Sequence, residues 1–162
     1  MGQTGSKIIK VNKQELITEL NKALADEWLA YYQYWTGSKV VKGIKREAVV
    51  AELVEHANDE LRHADMLAER ILQLGGDPIL EPNKWKELTN CGYEVPSDYN
   101  SAKIVEQNIK GERCAIEVYS KLYDMVKGKD SVTEEMVKKI LTDEVEHEDD
   151  LEAIEEDMQD VA

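Results

Sequence analysis

No apolar run in the 162 residues approaches the roughly 18 that a membrane span requires, and the polar start MGQTGSKIIK lacks the hydrophobic centre of a signal peptide. A cytoplasmic location without membrane partners is therefore expected. MGQTGS fits the N-myristoylation pattern, but no basic cluster accompanies it, and stable anchoring needs a second signal. Cysteine is nearly absent: Cys91 and Cys114 are too few for a disulfide scaffold or a four-thiolate metal site, although they remain available for redox chemistry. Basic side chains are also scarce. With 20 Lys and Arg against 34 Asp and Glu, the formal charge of −14 disfavours a phosphate backbone as partner. Lys7, Lys10 and Lys13 do not offset it, so DNA binding is not expected. The three prolines all fall in DPILEPNKWKELTNCGYEVPSDYN, which marks that stretch as a connection. Strand-type alternation is missing throughout.

What is present is one apolar stripe of helical period repeated four times, each stripe carrying an acid. The first is Ile17, Leu20, Leu24, Glu27, Tyr31 and Tyr34; the second is Leu53, Ala57, Glu60, Ala64, Leu67, Ile71 and Leu74. The third is Val105, Ile109, Glu112, Ile116, Tyr119, Tyr123 and Val126; the fourth is Val137, Ile140, Glu144, His147, Leu151, Ile154, Met158 and Val161. Steps of three and four residues place each set on one helical face. The boundaries follow from local signals. Asn12 with Glu15 opens a helix that runs to about residue 40, and a second runs from about 45 until Gly75 and Gly76 stop it. A third spans Ser101 to just before Gly128, and Ser131 with Glu134 reads as the capping box of the fourth. A short helix around Trp85 interrupts the long connection.

These elements predict an all-α fold: a loose arm over 1–11, then one domain over 12–162. That domain is a four-helix bundle with one long crossover between its second and third helices. Glu27, Glu60, Glu112 and Glu144 each lie near the midpoint of their own helix, and midpoints of equal helices meet at one height whichever way each runs. His63 follows Glu60 by three residues and His147 follows Glu144 by three, so each histidine shares its glutamate's face. Four carboxylates brought into a core cannot stay charged and unpaired. Two divalent ions would neutralise them, and oxygen-rich ligation with one imidazole per ion suits iron, or manganese, better than zinc. Glu60 and Glu144 would bridge the ions while Glu27 and Glu112 each cap one. Such a site can hold two ferrous ions for a two-electron reaction with dioxygen or peroxide. Glutamate makes up 22 of the 162 residues, so a single Glu-x-x-His carries little weight; six candidate ligands at one height carry more. Pairing of the acids with Arg62, Arg70 or Arg113 is the structural alternative. His56 has no Glu three residues before it and reads as a boundary or supporting histidine.

ALADEWLAYYQYW, VEHANDELRHADMLAERILQLGG, NIKGERCAIEVY and ILTDEVEHEDDLE resemble the four helices of the ferritin-like superfamily with a bacterioferritin-type di-iron centre. The order Glu, Glu-x-x-His, Glu, Glu-x-x-His carries the resemblance, and the pair Gln33 and Tyr34 adds to it. It implies ferroxidase activity at Glu27, Glu60, His63, Glu112, Glu144 and His147, two iron ions per subunit, and storage of ferric mineral in a hollow shell. Leu61 stands where a haem-binding bacterioferritin has methionine, so no haem is expected. No residues remain for a fifth helix, and the chain resembles the Dps-like mini-ferritins called thioferritins, which implies a 12-subunit homo-oligomer. Cys91 and Cys114 match the thiol pair of that group, which implies a dithiol cycling to a disulfide as peroxide is reduced. Free cysteine is also commonly a small buried hydrophobe, and Trp28, Tyr31 and Tyr34 are either ordinary core or carriers of stray oxidising equivalents. Competing readings on the same bundle are a rubrerythrin-type peroxidase, a manganese catalase and a DNA-condensing structural shell. The acid-rich end EVEHEDDLEAIEEDMQD is either a solvated face or a lining that attracts ferrous ions and seeds mineral.

Overall fold

The structure, a computed structural model, describes residues 2–159; Val161 at the end of the fourth stripe lies outside them. A short helix α1 (Gln3–Lys7) precedes the first long helix, α2 (Lys13–Val40). Then follow α3 (Arg46–Leu74), a one-turn α4 (Trp85–Leu88), α5 (Ser101–Val126) and α6 (Ser131–Gln159). Among the described residues there is no strand, only a bridge between Lys42 and Asn100.

Local chemistry explains most of the boundaries. Asn12 Oδ1 accepts the backbone N–H groups of Gln14 and Glu15, and Asn100 Oδ1 accepts that of Ala102, so two helix starts are capped by asparagine. Gly75 closes α3 at φ +88°, a conformation that suits glycine and few other residues. The cap of α6 corrects the expectation. Ser131 is already helical, and the carboxylate of Asp130 accepts the N–H groups of Val132 and Thr133 at 3.2 Å. Glu134 reaches back to the Gly128 N–H instead. A buried arginine selects the aspartate: Arg70 Nη2 donates to both Asp130 oxygens, at 2.9 and 2.7 Å.

The crossover over 75–100 runs along most of α2. Asn21 holds Asp77 and Ile79, Asp26 accepts from Thr89, Asn90 and Cys91, Gln33 accepts from Glu94, and Lys42 pairs with Tyr99 and Ser101. Residues 77 to 101 thus track α2 from Asn21 to just past its end, which lets α5 begin at that far end.

The core falls into two apolar clusters. One joins Leu16, Leu20 and Leu24 of α2 to Leu67 and Ile71 of α3, Tyr119 and Leu122 of α5, and Val137 and Ile140 of α6. The other joins Leu53, Ile104, Val105 and Leu151, together with Tyr34, at the opposite end. Between them lies a polar layer. No helix among the described residues is long and apolar enough to cross a membrane.

Candidate metal centre

That layer holds Glu27, Glu60, His63, Glu112, Glu144 and His147, none more than 3 % exposed. The stripes bring them there: each glutamate replaces an apolar residue mid-helix, and each histidine lies one turn further along. His63 Nδ1 lies 3.2 Å from Glu144 Oε1, 3.4 Å from Glu27 Oε2 and 3.5 Å from Glu60 Oε2. His147 Nδ1 lies 3.4 Å from Glu144 Oε2, 3.5 Å from Glu60 Oε1 and 3.7 Å from Glu112 Oε2. Two four-residue clusters result, and Glu60 and Glu144 belong to both.

The fit of this layer to cations rests on what its atoms lack. Glu27 Oε2, Glu60 Oε1, Glu112 Oε2, both oxygens of Glu144 and the Nδ1 atoms of both histidines are buried without a hydrogen-bond partner. Buried polar atoms are rarely left so, and seven converging on one volume fit a pair of divalent ions. The arginine alternative fails: Arg62 pairs with Asp59 and Asp143, Arg70 with Asp130, and Arg113 with Glu148 and Glu152.

Burial, with the charges of Glu144 and Glu27, raises the Glu60 carboxyl well above its ordinary value. Burial and Glu144 push Glu112 up to about 7. Burial opposes charge on His63 and His147, yet the surrounding carboxylates, Glu144 foremost for His63 and Glu112 for His147, raise both imidazoles. Burial thus favours the protonated form of Glu60, and the carboxylates favour the protonated form of both imidazoles. These are the protons a cation would displace.

Four supporting residues are absent from the sequence-based set of ligands. Tyr34 Oη donates to Glu112 Oε1, and Tyr119 Oη donates to Glu27 Oε1. Burial first, then the same carboxylates, hold both phenols well above their usual range, so they remain donors. His63 Nε2 lies 3.1 Å from Asp143 Oδ2, and His147 Nε2 lies 3.4 Å from Asp59 Oδ2. The aspartate at Nε2 orients each ring so that Nδ1 faces the carboxylates, where a cation would take the place of the Nδ1 proton. The sequence carried a signal for all four. Tyr34 and Tyr119 each follow a stripe glutamate by seven residues, and Asp59 and Asp143 each precede one directly, so Glu-x6-Tyr and Asp-Glu-x-x-His both occur twice.

His56 is fully buried rather than at a boundary; its ring stacks on His147 at 4.0 Å between centroids, and burial pushes its pKa down to about 4. Trp28 stacks on Trp85 at 5.3 Å, so it braces the crossover, while Tyr31 is only partly buried. Cys91 and Cys114 are joined by a disulfide, their Cα atoms 5.7 Å apart. Asp26, next to Glu27, fixes the Cys91 loop by accepting the Cys91 N–H at 2.9 Å. A cavity of about 130 Å³ is lined by exposed Gly92 and Lys110, by Cys91, and by buried Glu27, Glu60 and Glu112. It therefore leads from the surface past the disulfide to the carboxylates.

Comparison with known proteins agrees with this architecture. Residues 17–161 match the family model for ferritin, described as a ferritin-like domain. The DNA protection during starvation protein of Pyrococcus furiosus is 31 % identical over 140 residues, 85 % of this chain and 75 % of that protein. The bacterioferritin of Desulfovibrio desulfuricans is 33 % identical over 136 residues, 83 % of this chain and 71 % of that protein. Among solved structures, a dodecameric thioferritin, the bacterioferritin-related protein of Bacteroides fragilis, superposes with a TM-score of 0.96 at 42 % identity, covering 99 % of this chain and 96 % of that one.

Proposed function

We propose, because the chain belongs to the ferritin-like iron-storage family, that it is a ferroxidase. It oxidises ferrous iron with hydrogen peroxide or dioxygen at a dinuclear site inside each subunit and stores the ferric product in a hollow 12-subunit shell. The observation that carries this reading is the pair of clusters sharing Glu60 and Glu144. Glu60 and Glu144 would be shared by two iron ions, Glu27 with His63 would complete one set of ligands, and Glu112 with His147 would complete the other. Iron is substrate and cargo here. Each of two ferrous ions gives up one electron, and the pair of electrons cleaves the O–O bond of hydrogen peroxide, which takes up two protons and leaves as two waters.

The chain's own residues orient and neutralise. The Tyr34 and Tyr119 hydroxyls fix one oxygen of Glu112 and of Glu27, leaving the other oxygen of each aimed into the layer. Asp143 and Asp59 hold the imidazoles by their Nε2 edges. The cavity past Cys91 admits a small oxidant, and its place supports a second redox couple. Reduced Cys91 and Cys114 would give two electrons to a further peroxide, their sulfurs joining and their two protons leaving with the oxygens as water. Consuming peroxide and free ferrous iron together suppresses hydroxyl-radical formation, so the biological role is protection from oxidative stress in the cytoplasm.

Anaerobic ferrous loading followed by stoichiometric peroxide tests the reading. Two irons per subunit should be oxidised rapidly per peroxide, and Glu60→Ala with His63→Ala should abolish the fast phase. Light scattering should give twelve subunits. Oxygen evolution from peroxide by a manganese-loaded form would favour a catalase instead, and an unchanged peroxide phenotype for the same variants would favour a purely architectural shell.

A further inference from the structure

His56 is the one described histidine outside the six-residue layer, and its surroundings are unusual for a packing residue. The imidazole is 1 % exposed, and both ring nitrogens are buried without a hydrogen-bond partner. A neutral imidazole has one donor and one acceptor, and leaving both unmet inside a protein costs free energy. Nε2 nevertheless faces two acids. Glu52 Oε1, one turn earlier on α3, lies 3.2 Å away, and Asp150 Oδ2 on α6 lies 3.8 Å away. Ligand atoms about 2.1 Å from a first-row cation stand roughly 3.0 to 3.4 Å apart along a polyhedron edge; the Glu52 contact falls in that range, Asp150 lies a few tenths of an ångström beyond it, and one ligand atom from each of the three residues lies within 4.8 Å of the others.

We infer that Glu52, His56 and Asp150 form a third divalent-cation site in each subunit, distinct from the pair of clusters that share Glu60 and Glu144. The donor set of two carboxylates and one imidazole takes Fe(II), Mn(II), Co(II) or Zn(II). Asp150 is 48 % exposed and Glu52 26 % exposed, so water completes the coordination on the outer side. On the inner side the His56 ring lies flat against that of His147, which places the third cation one imidazole away from the central layer. That the physiological occupant is ferrous iron rests on the ferroxidase reading; the existence of the site does not.

Anaerobic Co(II) titration of the intact assembled protein, read by equilibrium dialysis and visible absorption, tests the inference. Wild type should take up three ions per subunit, and the double variant Glu52→Gln, Asp150→Asn should keep two while its affinity for the third falls at least tenfold. Both substitutions are at the outer side, so the fold should survive even where His56→Gln does not. Anomalous scattering should place the third ion about 2.1 Å from His56 Nε2. Saturation of wild type at two ions, or three ions bound with unchanged affinity by the double variant, overturns the inference. The variant Glu60→Gln, Glu144→Gln separates the two readings: it should lose the central pair and retain this ion. If wild type binds a single ion that only the outer double variant removes, the dinuclear centre fails and the third site stands.

Discussion

Replacing Glu112 by glutamine should make the chelated protein more stable and the metal-loaded protein less so. Glu112 is raised from 4.5 to about 7, first by burial and then by the charge of Glu144. A rise of that size corresponds to about 3 kcal/mol of penalty for the ionised carboxylate at pH 8. The sign follows from linkage. A carboxyl whose folded pKa is raised favours the folded state below pH 4.5, where both forms are protonated, and loses that advantage as pH climbs through 7. Glutamine carries no such charge, yet its carbonyl still accepts from Tyr34. With EDTA, Glu112→Gln should therefore match wild type near pH 4.5 and exceed it progressively up to pH 8. At roughly 2–4 °C per kcal/mol for a chain of this size, the gap should reach about 6–12 °C in melting temperature. Adding Mn(II) should reverse the order, because wild type gains binding free energy that the variant, short of one ligand, largely forgoes. Circular dichroism melts at four pH values, with EDTA and with Mn(II), read both halves. A variant no more stable than wild type in EDTA at pH 8, or one that gains as much from Mn(II), would refute the claim that buried carboxylate charge dominates this layer.

Three further outcomes follow from the same geometry. Asp143→Asn, which weakens the hold on His63 Nε2 without touching a ligand, should lower metal affinity about 10–100-fold in competition with a chelating dye. Asp130 is held below its ordinary value: burial opposes this, but hydrogen bonds from Thr133 and Arg70 outweigh it. Its contribution to stability is therefore present above about pH 4 and lost as pH falls through the depressed value, and Arg70→Ala should cost about 3–5 kcal/mol in guanidinium unfolding at pH 7. Gly76→Ala would bring a Cβ to 2.7 Å from Ile17 Cγ2, so a loss of about 1–3 kcal/mol is expected in the same assay.

The sequence disclosed the long helices almost to the residue, because the signals are local: Asn12 sits where a cap is needed, and Gly75 where a left-handed stop is. It also disclosed which residues meet in the central layer, since a stripe position fixes a face and a mid-helix position fixes a height. Partners across the bundle were harder. Nothing in a period of 3.6 says that Tyr34 bonds Glu112 rather than Glu27, for the two residues are 78 apart and only the docking of α2 on α5 brings them together. The cap of α6 was misread for a similar reason. Asp130 and Ser131 are both good capping residues, and a side chain from another helix, Arg70, decides between them. For His56 the sequence left open a boundary or a supporting place, because its burial depends on rings of two other helices, Tyr34 on α2 and His147 on α6.

The crossed partnerships have a consequence for biogenesis. The α2–α3 hairpin and the α5–α6 hairpin each carry one Asp-Glu-x-x-His and one Glu-x6-Tyr, yet neither hairpin can complete a cluster, since each cluster draws on both. Half a chain emerging from a ribosome would offer iron an incomplete set of ligands, the α2–α3 hairpin lacking Glu144 and the α5–α6 hairpin lacking Glu60. A complete set of ligands thus arrives last, after the two hairpins have docked. On the ferroxidase reading, iron oxidation starts only once both halves of the polypeptide are in place.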